Sequence, residues 1–183
     1  MSSFVSAGHH LKDPGAVANH KGITYKEADL ARDLRDRVIK HLKAAGVTVI
    51  QDQDKETLGE YLARIQPGNG SVVVEFHFDA ASTPLASGTT ALVGSDADKN
   101  DRSFAKELAD TVALTLGIRN RGVIDETQSH RGRLGLMREQ GIVALLEVGF
   151  ITNEQDVQKY LANVECLAKL LAVVIKKYDD LIK

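Results

Sequence analysis

The chain has 183 residues, of which 43% are apolar, so it is long enough to bury a core and fits one domain of ordinary size. Its 23 basic and 25 acidic residues give no excess of positive charge, which argues against nucleic acid or an anionic membrane as a partner. The single cysteine, Cys166, excludes an internal disulfide and a thiolate metal cluster, and its apolar helical surroundings predict a core position.

The first residues predict a short strand followed by a polar loop. Residues 4–7 are mostly apolar and stop at Gly8-His9-His10, and the Asp13-Pro14-Gly15 that follows favours a turn. The start lacks a basic segment and a long apolar run, so no signal peptide is predicted and synthesis in the cytoplasm is expected. No apolar run approaches membrane-spanning length, and no linker or repeat divides residues 1–183.

A long amphipathic helix is predicted next. Thr24 and Glu27 have the spacing of a capping box, which places the start of the helix at Thr24. Its apolar stripe runs over residues 28–42, and Gly46 is a typical glycine beyond a helix end. Residues 47–50 then predict a second strand, and residues 58–65 a short helix closed by the turn Pro67-Gly68-Asn69-Gly70.

The third predicted strand carries polar residues within an apolar pattern. Residues 72–78 are its core, and Glu75, His77 and Asp79 would share one face if pairing is regular. Residues 88–93 predict a fourth strand at the edge of the sheet, and residues 100–116 an amphipathic helix ended by Gly117.

The last third begins with a polar, arginine-rich segment over residues 119–133, with short extended pieces around Val123 and Leu134. Residues 142–146 are continuously apolar, which is typical of a strand buried on both faces in a parallel sheet. Asn153 is expected to cap a short helix through residue 160, and residues 164–182 predict a long C-terminal helix. This alternation of strands and helices predicts an α/β domain with a largely parallel central sheet.

Three polar residues end predicted strands: His9, His77 and Glu147, and Glu27 lies in the first turn of the first long helix. Ligand sites in open α/β sheets lie at the carboxyl ends of the strands. Two imidazoles, one carboxylate and a second acid nearby are the residue types of a catalytic zinc site. Plainer interpretations remain for each residue: His9 as a loop histidine, Glu27 as a helix cap, and Glu147 as an acid that meets solvent.

These residues resemble the zinc-dependent N-acetylmuramoyl-L-alanine amidases, and the resemblance covers nearly the whole chain. Its most specific piece is Glu147-Val148-Gly149-Phe150-Ile151-Thr152-Asn153. The other pieces are, in order, Gly8-His9, Asp13-Pro14-Gly15-Ala16, Glu27, His77, Asn120-Arg121-Gly122 and Leu134-Gly135-Leu136-Met137-Arg138.

The resemblance implies that His9, Glu27 and His77 bind one zinc ion per chain and that Glu147 is the catalytic acid. It implies a phosphorylase/hydrolase-like fold with a mixed, mostly parallel sheet of about six strands. The substrate would be peptidoglycan, cut between N-acetylmuramic acid and L-alanine. We expect a monomer without membrane insertion or nucleic acid, and one catalytic domain without a separate wall-binding domain.

Two departures from the family pattern bear on the site. His10 stands where the family usually has glycine, and it is most simply a loop residue. Glu75 and Asp79 stand where a serine and an asparagine are more common, so they would orient His77 or alter the accepted substrate. Arg119, Arg121, Arg131 and Arg133 would meet carboxylates of the stem peptide, or form a solvated charged loop.

Three other roles remain open from sequence. A zinc carboxypeptidase or endopeptidase acting within the stem peptide would use the same residue types. A wall-binding module without catalysis is disfavoured, because all four expected metal and acid residues are present. An amidase of this size would fit a phage or prophage endolysin, or the excised catalytic domain of a secreted autolysin.

Overall fold

The computed structural model describes residues 1–65, 70–129 and 133–182. Within these ranges the main sheet has six strands: β1 (Ser2–Ala7), β4 (Val49–Gln51), β5 (Gly70–Asp79), β6 (Thr89–Val93), β7 (Asn120–Asp125) and β8 (Ile142–Phe150). A separate hairpin is formed by β2 (Val17–His20) and β3 (Ile23–Lys26). The helices are α1 (Glu27–Ala44), α2 (Leu58–Ile65), α3 (Lys99–Leu116) and α4 (Glu154–Ile182). The alternation of strands and helices confirms the predicted α/β domain, and the six strands agree with the number that the family resemblance implies.

The strands of the main sheet lie in the order β4-β1-β5-β8-β6-β7. The first four of these run in one direction, whereas β6 is antiparallel to β8 and parallel to β7. The expectation that residues 88–93 form an edge strand is therefore wrong, because β7 covers β6. Glu147 lies opposite His77 of β5 on one side and opposite Thr90 of β6 on the other.

The two faces of the sheet are covered unequally. Helices α1, α3 and α4 pack on one face, where alternate residues of β5 such as Val74 and Phe76 join the main core. On the other face, α2 and a 3₁₀ turn (Gly135–Arg138) cover a smaller cluster that includes Val73 and Leu145. The carboxyl ends of β1, β5 and β8 on this second face border an open groove, and the site described below lies there.

The first and last elements are joined by a buried polar contact. Asp179 near the end of α4 is fully buried and accepts hydrogen bonds from the hydroxyls of Ser3, at 3.1 Å, and Ser71. Hydrogen-bonding partners are required for a carboxylate at such a position. The contact fixes α4 against β1 and β5. None of the helices in the described ranges is long and apolar enough to cross a membrane.

The predicted capping box at Thr24 is wrong, because Thr24 belongs to β3. Lys21 and Gly22 have φ values of 53° and 84°, the left-handed conformation that a two-residue hairpin turn requires. Helix α1 starts three residues later than Thr24, at Glu27, after Lys26, which makes no side-chain cap. Glu27 is therefore the first residue of the helix, and its carboxylate is directed into the protein.

Two other expectations are corrected. Residues 154–182 form one continuous helix, because no glycine or proline interrupts the chain near Asn163, which donates a hydrogen bond to the Lys159 carbonyl at 2.9 Å. Cys166 is exposed, since the buried stripe of α4 passes through its neighbours Val164 and Leu167. Leu134 has the extended backbone that the sequence predicts, immediately before a 3₁₀ turn.

Candidate metal centre and groove

His9, Glu27 and His77 come together from three elements: the loop after β1, the first residue of α1, and β5. His9 Nε2 lies 3.1 Å from Glu27 Oε2, and His77 Nδ1 lies 2.8 Å from Glu27 Oε1. One donor atom from each of the three residues lies within 4.8 Å of the others. These are the three residues for which the sequence predicts a metal site.

Two glycines allow the three side chains to approach so closely. A Cβ atom on Gly8 would lie 2.1 Å from Cε1 of His77, and a Cβ on Gly15 would lie 2.5 Å from Cδ2 of His9. His9 itself has a φ of 68°, in the left-handed region that non-glycine residues rarely adopt. The Gly-His turn therefore directs the imidazole back toward α1 and β5.

Glu27 is fixed by the backbone as well as by the two histidines. Its Oε2 accepts a hydrogen bond from the Ala16 amide at 2.9 Å, and its Oε1 accepts one from the Phe78 amide at 3.2 Å. Burial would raise the pKa of Glu27, but the hydrogen bonds from His77 and His9 outweigh it and lower that pKa far below its ordinary range. Glu27 is therefore a carboxylate at neutral pH, as a metal ligand must be.

Each histidine has a second acid on its other ring nitrogen. His9 Nδ1 lies 2.8 Å from Asp13, and His77 Nε2 lies 2.9 Å from Glu75 Oε1. Burial alone would lower the pKa of His77, but the carboxylates of Glu27 and Glu75 outweigh it and raise that pKa to about 10. Carboxylates placed in this way set the tautomer of a metal-binding imidazole and orient its ring.

The donor set fits zinc. Two imidazoles and one carboxylate are the three protein ligands of one common catalytic type, and the nitrogens that face Glu27 are the ones left for the metal. The opposite nitrogens are already engaged by Asp13 and Glu75. No thiolate takes part within the described residues, because Cys166 is on the exposed side of α4.

Glu147 lies on β8, beside the three clustered residues but outside their donor set. It is 4% exposed and directly opposite His77 in the parallel pair β5–β8. Its backbone carbonyl accepts a hydrogen bond from the Thr89 hydroxyl at 2.7 Å, which fixes the end of β8 against β6. An acid next to the metal ligands, rather than among them, is placed to exchange a proton with a substrate or water.

The groove contains two cavities on either side of Glu147. The first, of about 230 Å3, lies on the β1–β5 side, and its polar lining includes His9, His10, Asp52, Tyr61, Glu75 and His77. The second, of about 330 Å3, lies on the β6–β7 side, and its polar lining includes Asp79, Thr90, Arg119, Arg121, Gln128 and Glu147. We call them the metal-side cavity and the arginine-side cavity.

The remaining predicted residues divide between these cavities. Glu75 contacts His77 as the sequence suggests, whereas the β5–β8 pairing is irregular between His77 and Asp79, so Asp79 lines the arginine-side cavity instead. Arg121 lines that cavity too, and Arg131 lies outside the described residues. His10, expected as a plain loop residue, lines the metal-side cavity.

The sequence analysis missed several supporting residues. Ser6, paired with Glu75 in the β1–β5 register, donates a hydrogen bond to Glu75 Oε2 at 3.0 Å. Asp52 accepts one from the Ala7 amide at 3.2 Å and pairs with the buried Arg35 at 2.7 Å, which supports the end of β1 just before His9. The contact of Asp13 with His9 was also missed, although Asp13 follows His9 by only four residues and could have been found from the sequence. The contacts of Ser6 and Asp52 depend on strand register, which the sequence does not reveal.

Comparisons with known proteins identify the family of the chain. The sequence model of a family described as N-acetylmuramoyl-L-alanine amidase matches residues 4–177. A curated Staphylococcus aureus protein named "Probable autolysin PH" is 29% identical over 188 aligned positions, which cover 92% of this chain but 37% of that protein. The chain thus spans little more than a third of this relative.

Solved structures of similar fold cover almost the whole chain. An N-acetylmuramoyl-L-alanine amidase from Clostridium difficile 630 superposes with a TM-score of 0.83 at 19% identity, covering 98% of this chain and 97% of that one. The catalytic domain of an endolysin targeting Clostridia difficile superposes with a TM-score of 0.73 at 19% identity, covering 97% of each chain.

Proposed function

Because this chain belongs to the N-acetylmuramoyl-L-alanine amidase family, we propose that it hydrolyses the amide bond between N-acetylmuramic acid and L-alanine in peptidoglycan, with zinc as cofactor. The observation that carries the proposal is the placement of Glu147 opposite His77, beside the cluster of His9, Glu27 and His77 in an open groove. One ion per chain is expected at that cluster.

An amide is a poor electrophile and its amine a poor leaving group, so the reaction needs both activation of the carbonyl and a supply of protons. A zinc ion held by His9, Glu27 and His77 would polarise the carbonyl and lower the pKa of water from about 16 to about 7. Glu147 would accept the proton of the attacking water and deliver it to the amide nitrogen. The carbon–nitrogen bond then breaks, which leaves the lactyl carboxylic acid and the free amine of L-alanine.

Product analysis tests the bond assignment. Purified peptidoglycan digested by the protein should release peptides with a new L-alanine amino terminus, while the glycan keeps its lactyl acids, as seen by mass spectrometry after amine labelling. New amines elsewhere in the stem would instead identify an endopeptidase or carboxypeptidase. Absence of any new amine with zinc-loaded protein would favour a binding module and contradict the proposal.

The variant Glu147→Gln tests the proton-transfer role. Glutamine keeps the shape of the side chain but cannot act as a base, and a positioned general base is worth about 10²–10⁴-fold in rate. We expect the variant to keep its fold and its zinc and to release amines at no more than about a hundredth of the parent rate. Loss of zinc would make Glu147 a ligand, and parental activity would place the base elsewhere, with Glu75 next to be tested.

For biological role, we propose cell-wall lysis as a phage or prophage endolysin. Similarity of fold to an endolysin catalytic domain supports this role, whereas the relative named as an autolysin supports a cellular one. The endolysin and autolysin roles differ in when the enzyme reaches the cell wall. Expression inside a host should be harmless until a membrane-permeabilising protein is co-expressed, and lysis without such a protein would contradict the endolysin role.

A further inference from the structure

Resting on the proposed amidase activity, we propose that the arginine-side cavity holds the departing stem peptide and that Arg119 and Arg121 select a free carboxylate on its second residue. The metal-side cavity then faces the muramic acid sugar. The proposal assigns a direction to the substrate across the sheet. It also predicts a preference between two natural forms of the stem, in which the second residue carries either a carboxylate or its amide.

The direction follows from the position of Glu147. The metal-binding histidines line the cavity on the β1–β5 side of β8, whereas the Glu147 side chain lines the cavity on the β6–β7 side. The group that gives its proton to the amide nitrogen must face that nitrogen. The amine therefore departs toward β6 and β7, and the rest of the stem peptide, which is attached to the amine, extends in the same direction.

The acids and the arginines of the arginine-side cavity come from different strands. Asp79 belongs to β5 and Glu147 to β8, whereas Arg121 belongs to β7, with Arg119 immediately before that strand. The strand order β5-β8-β6-β7 makes three spacings of about 4.8 Å, so Asp79 and Arg121 are on strands about 14 Å apart. The two arginines make the β7 side of the cavity cationic, and the Arg121 guanidinium extends from there back to the ring of Phe150 on β8.

The two guanidinium groups are available to such a ligand. Arg119 and Arg121 are two residues apart at the amino end of an edge strand, and both line the arginine-side cavity. Arg121 packs 5.1 Å above the ring of the buried Phe150, which restrains its side chain. Among residues 1–65, 70–129 and 133–182, no carboxylate forms an ion pair with either arginine.

The distance from Glu147 to the two arginines suits the distance from the scissile nitrogen to the carboxylate of the second stem residue. The carboxylate at the end of the second stem residue lies up to two residue lengths from the scissile nitrogen, which is roughly 7 Å in an extended chain. Strands β8 and β7 are two spacings apart, about 10 Å, and a long arginine side chain extends back over part of that distance. Arginine binds a carboxylate through paired charge-assisted hydrogen bonds, which a neutral amide cannot replace with equal strength.

Two synthetic muramoyl peptides that differ only in this group test the proposal. The zinc-loaded protein should cleave the carboxylate form with a kcat/KM about tenfold higher than the amide form, the value of one hydrogen bond to a charged group. Arg121→Gln, and more fully Arg119→Gln with Arg121→Gln, should bring the ratio close to one. Arg102→Gln is the matched control, because it removes one exposed arginine from α3 and should keep the parental ratio.

Inhibition by products tests the direction separately. The dipeptide of L-alanine and D-glutamate should inhibit the parent more strongly than its amide form, and Arg121→Gln should weaken that inhibition. If Arg121→Gln weakens inhibition by N-acetylmuramic acid instead, the substrate runs in the opposite direction and the inference is overturned. Equal cleavage of the two substrates by the parent overturns the selectivity while leaving the amidase activity established. Failure to cleave either substrate contradicts the proposed function itself.

Discussion

His77 is held between two carboxylates, one on each ring nitrogen. Glu27 approaches Nδ1 and Glu75 approaches Nε2, and Glu75 is itself fixed by the Ser6 hydroxyl. These successive hydrogen bonds orient the His77 ring before any ligand binds. It also gives a physical use to a glutamate at a position where the amidases more often have serine.

We expect Glu75→Gln to weaken zinc affinity by roughly ten- to a hundredfold without abolishing the site. The amide can still contact Nε2, but it no longer provides a negative charge that favours a proton on that nitrogen. Competition titration with a chromogenic chelator measures the effect. Glu107→Gln removes one acid from the surface of α3 and serves as the control. Equal affinity in Glu75→Gln and the parent would show that Glu75 does not support the metal ligand.

Gly8→Ala should eliminate stoichiometric zinc binding, because its Cβ would lie 2.1 Å from the His77 ring and one of the two must move. Gly59→Ala is the matched control, since nothing lies within 4 Å of a Cβ there and the residue is within α2. That control should keep its zinc and gain about 0.5–1 kcal/mol in free energy of unfolding. Metal analysis and thermal unfolding of both variants distinguish loss of the site from a general alanine effect.

At the scale of elements, the connection from β7 to β8 is anchored over both cavities by one buried acid. Glu126 is fully buried and accepts hydrogen bonds from the Leu134 amide at 2.7 Å, the Ser95 amide at 3.2 Å and the Arg138 guanidinium. Leu134 lines the metal-side cavity, and Gln128 lines the arginine-side cavity. The anchor therefore positions walls of the groove on both sides of Glu147.

Glu126→Gln should lower the free energy of unfolding at pH 7 by about 1–3 kcal/mol, because a buried charged acceptor is lost. Burial raises the pKa of Glu126, but the two amides and Arg138 outweigh it and lower that pKa below its ordinary 4.5. The native carboxylate is therefore stabilising above about pH 4.5, and this contribution is lost as the pH falls through the lowered pKa. The difference between parent and variant should shrink in acid. A pH-independent difference in chemical denaturation would contradict this account.

At the scale of the whole molecule, the proposed metal site joins parts of the chain that are far apart in sequence. His9, Glu27 and His77 come from a loop, a helix and a strand on the same side of the sheet. An ion bound there would connect the amino-terminal third to the central strand β5. Ligands that bind only the folded state stabilise it by mass action.

Removal of zinc should therefore lower the thermal midpoint. At a free zinc concentration one hundred times the dissociation constant, the stabilisation is about 2.7 kcal/mol. For a domain of this size, that corresponds to a shift of roughly 5–10 °C. Calorimetry with and without a chelator measures it, and Glu27→Ala should show no zinc-dependent shift. A zinc-dependent shift of full size in Glu27→Ala would place the metal elsewhere.

The sequence was informative where one periodic pattern or one motif decided the outcome. The run at residues 142–146, the stripe of α1 and the α/β class were predicted correctly, because burial on a strand or helix leaves a local pattern. The sheet of about six strands was implied by the family resemblance. The three proposed metal ligands were identified through family motifs, and the structure brings them together. Their roles as ligands stay predictions until a metal is measured.

Features that depend on pairing were not predictable in the same way. Strand pairing and register determine which strands neighbour β6 and why Ser6 contacts Glu75. They also determine why Asp79 lies away from His77. Register is set by packing across the sheet, which one sequence does not display. The hairpin before α1 was missed because Thr24 and Glu27 imitate a helix cap, although Lys21-Gly22 provided a turn signal.

The contact between Ser3 and Asp179 has a consequence for how this fold can be built into larger proteins. It brings the beginning of β1 and the last turns of α4 to one place, 3.1 Å apart at the hydrogen-bonded atoms. Polypeptide added before or after the domain therefore departs from neighbouring points, away from the groove at the carboxyl ends of the strands. Such an arrangement lets the domain be inserted into, or exchanged between, multidomain chains as a cassette, because the host sequence is interrupted at a single point.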